Sequence, residues 1–437
     1  VTGPAPGEGS RARVLADLHG QSYGKDVAEV RTLFFGPRLS TGLARPVPGQ
    51  VRPPLPALGP LRDLDAAGPA LGGTWTRAQR LLAACVEAVR IRRVSAADRY
   101  PVHRAYPSPR GLFGADLFLV ADGPAPRCLR VDPGTHALQP RDGVPAPADP
   151  EELSGFRLVV AVDHRRYPPE YGRLRPSLAL LEGGHLLATL GLALERAGLR
   201  PRTRFGAADA PDGYAPCGVI TLDPDGPDGP AAPDVPAEAL ARVAAACAPA
   251  GVTLRRWLDD RGSGVSAANL VTSAYVSPEE GAVVTAALTA ALGAAREAVP
   301  GPGALRLYRQ VLVADRVEDR AARELSPDGT EHPDRTVERT GETNFSSPLG
   351  YTLTADFTAW ARAHGDRAPA VLHTLLGWIA QWGCLGAAAT GLCARPMRNH
   401  QEADWAAVLG LDPGQTPAYQ LWVRAERGSY LDLPVDA

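Results

Sequence analysis

The chain has 437 residues, 45% apolar and 22% charged, with a formal net charge of -2. That length holds two domains or one large one with a buried core, and the near-neutral balance argues against nucleic acid as a partner. No stretch of about 18 uninterrupted apolar residues is present, and "VTGPAPGEGSRARV" lacks a signal peptide's apolar core, so no membrane role and a cytoplasmic location are expected.

Residues 1 to about 75 read as a Pro/Gly-rich arm, with "ARPVPGQVRPPLPALGP" extended and Arg38-Leu39-Ser40 after a short apolar run. From 76 the pattern turns helical, with Leu81, Leu82, Cys85, Val86 and Val89 on one face. "YPSPRGLFGADLFLVAD", Tyr106 to Asp122, is a Pro- and Gly-punctuated loop running into an alternating strand. Such a loop either turns the chain sharply or lets a flat ligand lie against backbone. A hairpin around Asp132-Pro133-Gly134, a strand over Phe156 to Asp163 and a long helix, apolar nearly all round and capped by Gly198, follow.

The six cysteines are scattered with no C-x-x-C pair, which predicts buried thiols and no metal site. Lys25 is the only lysine, so any step that needs one has a single candidate.

After a linker at 222–236 the pattern starts again. Ala121, Gly172, Pro176 and Gly198 meet Ala314, Gly365, Pro369 and Gly391 at one constant shift of 193 positions. An Arg-x-Ser recurs too, as Arg261-Gly262-Ser263, ahead of an alanine-rich helix. The expected organisation is a tandem duplication of one α+β unit: arm 1–75, first half 76–221, linker 222–236, second half 237–437.

The stretch from Pro107-Ser108 through Leu112-Phe113 to Asp116-Leu117-Phe118-Leu119-Val120 resembles the loop-and-strand of nitroreductase-fold flavoproteins. With Tyr171, Gly172, Glu182, Gly184 and His185 in "EYGRLRPSLALLEGGHLL", it is similar to the SagB-type dehydrogenases, which oxidise thiazolines and oxazolines in ribosomal peptides. The resemblance covers roughly residues 80 to 205, and the closing "GLCARPMRNHQEADWAAVLGLDPGQTPAYQLWVR" is similar to the same fold. It implies an α+β nitroreductase-like fold in two pseudo-dimeric copies, the second degenerate. It also implies flavin mononucleotide (FMN) between them, an azoline-containing precursor peptide as substrate, a cyclodehydratase or other biosynthetic enzyme as partner, and the option of homodimer pairing.

For the flavin phosphate, guanidinium forks are suited donors. The candidates are Arg104, Arg38 with Ser40, Arg261 with Ser263, and Arg395, while Ser108 and Gly111 would meet the ring edge. Where the family places adjacent lysine and tyrosine, this chain has Glu170-Tyr171, the catalytic candidates. Tyr171, with an ordinary pKa of about 10, needs a cation nearby to act as a base. His185 shares a helix face with Glu182 and reads as a bonded core histidine or an acid-base group. Two other readings stand beside azoline dehydrogenation: a small-molecule nitroreductase using a nicotinamide donor, and a flavin-free scaffold in a peptide-modifying complex.

Overall fold

The computed structural model describes residues 8–23, 75–95, 100–122, 126–141, 143–206, 210–222, 233–249, 251–263, 276–299, 305–312, 320–337, 347–398, 400–425 and 432–434. The first part of the N-terminal arm is helical: α1 (Glu8–Tyr23) sets Val14 and Leu18 into the core. Arg38, Ser40, the "ARPVPG" stretch and Ala314 lie outside the described residues.

Helix α2 (Arg77–Val89) begins at Thr76, whose side chain accepts from Gln79 N while the Gln79 side chain accepts from Thr76 N. Two antiparallel strands follow, β1 (Ile91–Ser95) and β2 (Val102–Arg104), and the loop then enters β3 (Ala115–Ala121). Strand alternation sorts β3: Ala115, Leu117 and Leu119 join the main core, while Phe118 faces a smaller apolar cluster on the sheet's other side. Next come β4 (Arg127–Val131), β5 (Leu138–Pro140), β6 (Arg157–Val162), the buried helix α3 (Leu174–Arg196), β7 (Arg202–Phe205) and β8 (Ala215–Thr221). Helix α3 is long and apolar enough to cross a membrane, and its most apolar window is wholly buried inside protein.

The end of the expected linker belongs to the first sheet, because β9 (Asp234–Val235) pairs with β7. Helices α4 (Ala237–Cys247), α5 (Leu254–Asp260) and α6 (Pro278–Ala298) lead to β10 (Leu305–Leu312), β11 (Arg320–Leu325), β12 (Glu331–Val337) and β13 (Leu349–Asp356). The chain closes with α7 (Phe357–His364), α8 (Ala368–Ala389), β14 (Cys393–Met397), α9 (Glu402–Val408), β15 (Gln415–Arg424) and β16 (Asp432–Pro434).

Among the described residues the strands form three sheets. One runs β5-β4-β3-β6-β8-β7-β9 and another β12-β11-β10-β13-β15-β14. Leaving out β9, the two orders are the same permutation, and each unit places a long helix between its fourth and fifth strands. The likeness reaches the backbone. Gly172 and Gly365 hold nearly identical dihedrals, φ 52 ψ -131 and φ 53 ψ -136. Both β6 and β13 carry an irregularity at matching places, Val160/Ala161 and Leu353/Thr354, 193 positions apart. The first strands do not keep that shift. Leu117 faces Val160 and Leu307 faces Leu353, so over the described residues they correspond at 190.

The halves meet where α3 crosses α8. A methyl group at Gly184 would lie 2.0 Å from the Thr374 carbonyl oxygen, and one at Gly377 would lie 2.1 Å from that of Leu181. Gly184 corresponds to Gly377 and Leu181 to Thr374 at the 193 shift, so each helix offers the same patch to the other, as in an isologous contact. The third sheet ties the ends together: β16, from the chain's C-terminal end, pairs with β1.

Candidate functional site

The loop before β3 is strained. Arg110 (φ 55), Gly111 (φ 66) and Phe113 (φ 48) all take the left-handed conformation, and of the non-glycine residues described only His136 shares it. Backbone held this way needs anchors around it. Arg104 donates through Nη1 to the Tyr106 hydroxyl at 3.0 Å, and its guanidinium sits 4.4 Å from the Phe113 ring centre. Tyr106 meets Phe113 edge-on at 5.6 Å. Gly114 packs against Tyr167 so closely that a methyl would come within 2.3 Å of its ring.

Ser108 is committed inside the chain. Its hydroxyl donates to the Glu182 carboxylate and accepts from Phe113 N at 2.8 Å. Glu182 also accepts from Tyr167 Oη at 2.8 Å and from Ala115 N at 2.9 Å. Burial raises the Glu182 pKa against the pull of these donors. Gly111 N and Leu112 N donate within the turn, to Ser108 O at 3.1 Å and Pro109 O at 3.2 Å, so the loop engages the Ser108 side chain and much of its own backbone inside the chain. Arg104, foremost among the phosphate candidates, gives Nη1 to Tyr106, while its buried Nε has no hydrogen-bond partner among the described residues.

Tyr171 ends a single turn, Pro169–Tyr171, with the Arg110 guanidinium 6.0 Å from its ring centre. Burial pushes the phenol up to about 12, and Arg110 offsets only part of this. Tyr171 therefore stays protonated near neutrality, a donor or relay rather than a base. Glu170 beside it is exposed.

A second group of sequence candidates assembles in the other half. Arg261, Gly262 and Ser263 run along β14, with Ala394 N donating to Gly262 O at 3.0 Å and Arg395 Nε to Ser263 O at 3.2 Å. From the first half, Arg93 Nη1 donates to Asp259 O at 2.9 Å. Arg261 is 3% exposed, and its Nε and Nη1 have no hydrogen-bond partner among the described residues. Burial draws its pKa down to about 10, Arg93 adds to the shift, and the thiols of Cys384 and Cys393 are its opposing neighbours. A buried guanidinium with no carboxylate on it is a cation awaiting an anion. That donor set fits a phosphate.

His185 links the two groups. Its Nδ1 lies 3.0 Å from Gln381 Oε1 and its Nε2 3.0 Å from Tyr419 Oη. Gln381 Nε2 donates to Ala105 O, beside Arg104, at 3.0 Å. Because the Gln381 amide nitrogen is used there, His185 donates from Nδ1 and accepts at Nε2. Burial lowers its pKa to about 3, Arg261 contributing in the same direction. Through Gln381, His185 is thus joined to the Ala105 backbone beside Arg104, and the Arg261 charge acts on it from the second half.

One solved structure matches nearly end to end, a candidate nitroreductase from Anabaena variabilis: TM-score 0.63, 15% identity, covering 95% of this chain and 99% of that one. The fold is nitroreductase-like. A candidate nitroreductase from Ralstonia eutropha matches over 32% of this chain and 67% of its own at TM-score 0.25 and 16% identity. The E. coli microcin synthetase McbBCD complex with truncated pro-MccB17 matches over 29% and 54% at TM-score 0.23 and 14% identity. No protein-family model and no curated protein matches the chain.

The structure thus brings Arg261, Ser263 and Arg395 together, sets Arg104 at the end of β2 with Ser108 and Gly111 in the loop that follows it, and places Tyr171 near that loop through Arg110. The sequence reading missed the Tyr167 and Ser108 bonds to Glu182 and the Gln381–His185–Tyr419 chain. Only the Glu182–His185 spacing on α3 hinted at either.

Proposed function

We propose that the chain is an FMN-dependent oxidoreductase built as a tandem duplication of the nitroreductase fold, oxidising thiazoline or oxazoline rings in a ribosomally made peptide. The observation that carries the flavin part is the buried, unpartnered Arg261 guanidinium. The peptide substrate rests on the resemblance of Pro107–Val120 and Tyr171–His185 to azoline dehydrogenases. FMN, when bound, supplies the two-electron acceptor for the two hydrogens the ring loses. Arg261 and Arg395 with the Ser263 turn hold its phosphate, and the left-handed loop gives the ring edge close backbone.

With Tyr171 protonated, Glu170 on the same turn receives the ring proton and Tyr171 relays it. A cyclodehydratase supplies the azoline peptide, and the cytoplasm is the compartment. The test is mass spectrometry of an azoline peptide incubated with the flavin-loaded chain, each turnover removing about 2 Da as two hydrogens. An unchanged peptide with full flavin loading refutes the substrate. One observation favours the flavin-free scaffold instead: exposed Glu170 stands where the family carries lysine. A chain that binds no FMN decides for it.

A further inference from the structure

Glu182 pins both ends of the strained loop with one carboxylate. Ser108 Oγ, at the loop's start, and Ala115 N, at its end, donate to it together with Tyr167 Oη. Glu182 is 1% exposed and forms no ion pair among the described residues. The charged and titratable groups facing it are Arg104, Tyr106, Tyr167, Cys217 and Tyr419. Such a carboxylate loses more hydration than an apolar side chain would.

The second half is an internal control. Between the strand irregularity (Val160, Leu353) and the turn glycine (Gly172, Gly365), the halves gain or lose no residue relative to each other. Tyr167 therefore corresponds to Trp360, and Glu182, ten residues past the glycine, to Leu375. Trp360 and Leu375 are buried, and Trp360 Nε1 has no hydrogen-bond partner among the described residues. The same unit folds with an apolar pair where the first half carries a hydrogen-bonded acid, an exchange that commonly leaves stability equal or better. The fold does not require the acid; the half with the loop keeps it.

We infer that Glu182 is a positioning residue: it latches Ser108 to Ala115 so that the loop between them holds its left-handed turns and keeps the shape it offers the ligand. The inference rests on the flavin reading for the identity of that ligand, but the latch can be measured without it. Glu182→Leu installs the second half's own residue, and Ser108→Ala frees one loop end. Two readouts are taken: hydrogen exchange over 108–115, and the FMN dissociation constant beside the melting temperature.

Glu182→Leu leaves the Tyr167, Ser108 and Ala115 donors without their acceptor, so it should melt below wild type, exchange at least about tenfold faster in the loop, and bind FMN about tenfold more weakly. Ser108→Ala should move both readouts the same way by less, and it serves alone where Glu182→Leu fails to fold. Unchanged loop exchange in the variants overturns the latch. Faster exchange with unchanged FMN affinity overturns its positioning role. Wild-type protein that binds no FMN refutes the proposed function, and the exchange data then still decide the latch.

Discussion

Replacing Gly184 with alanine strikes the centre of the α3–α8 crossing. The new methyl would sit 2.0 Å from the Thr374 carbonyl oxygen and 2.8 Å from Trp378 N, both backbone atoms of α8. Restoring an ordinary separation of about 3.5 Å requires the helices to part by about 1.5 Å, against the close packing on both. Overpacking costs about 1–3 kcal/mol, and this case belongs at the upper end because no side chain can rotate away. Alanine's better helix propensity returns about 1 kcal/mol, leaving a net loss of about 2 kcal/mol. Urea denaturation reads this as a lower midpoint at unchanged slope. Gly377→Ala, the matching position, should cost about the same, roughly 2 kcal/mol, and the double variant clearly less than the sum, because the first methyl has already parted the helices. Gly9→Ala on α1, which meets nothing within 4 Å, is the control, keeping the propensity gain without the clash and so neutral to stabilising by up to about 1 kcal/mol. Wild-type stability for Gly184→Ala, or strict additivity in the double variant, would refute the shared crossing.

Arg261→Met should raise the melting temperature of the flavin-free chain, because an apolar side chain replaces an unpaired buried cation, while FMN binding is lost; differential scanning fluorimetry with and without FMN checks both. Acid should weaken the fold early. His185 and His373, both fully buried, have pKa values lowered to about 3. The unfolded chain takes up protons below about 6.5 that the folded chain refuses until about 3, so stability present above that window falls through it, by about 2.5 kcal/mol per pH unit for two such groups. Denaturation midpoints flat from pH 7 to 5 would contradict this. Tyr171→Phe should keep flavin affinity and lower turnover on an azoline peptide at least about tenfold; unchanged turnover removes Tyr171 from the chemistry.

Much of the fold was legible because its signals are local. The buried helices showed as long apolar runs, Gly172, Gly198, Gly365 and Gly391 showed where the chain takes positive φ, and alternation marked β3 and β6. The repeat was visible for the same reason, since glycine and proline positions follow from backbone geometry and persist when side chains drift. The shift of 190 between β3 and β10 was not legible, because a short apolar strand matches itself at several offsets and only cross-strand partners fix the register. The site was less legible. Ser108 looks like a ligand donor in sequence, yet Glu182, 74 positions away, takes up its hydroxyl, and Tyr106 takes one nitrogen of Arg104. Arg261 and Arg395 were flagged separately, and only β14 laid alongside 261–263 joins them. Gln381 and His185 lie 196 positions apart, and nothing local to either announces the bond between them.

The central claim is one flavin site, shared between the halves and dependent on Arg261. Titrating the purified chain with FMN, followed by flavin fluorescence and absorbance near roughly 450 nm, tests it most directly. The account predicts saturation at one FMN per chain, abolished by Arg261→Met. No binding, or one-to-one binding that survives Arg261→Met, would contradict it.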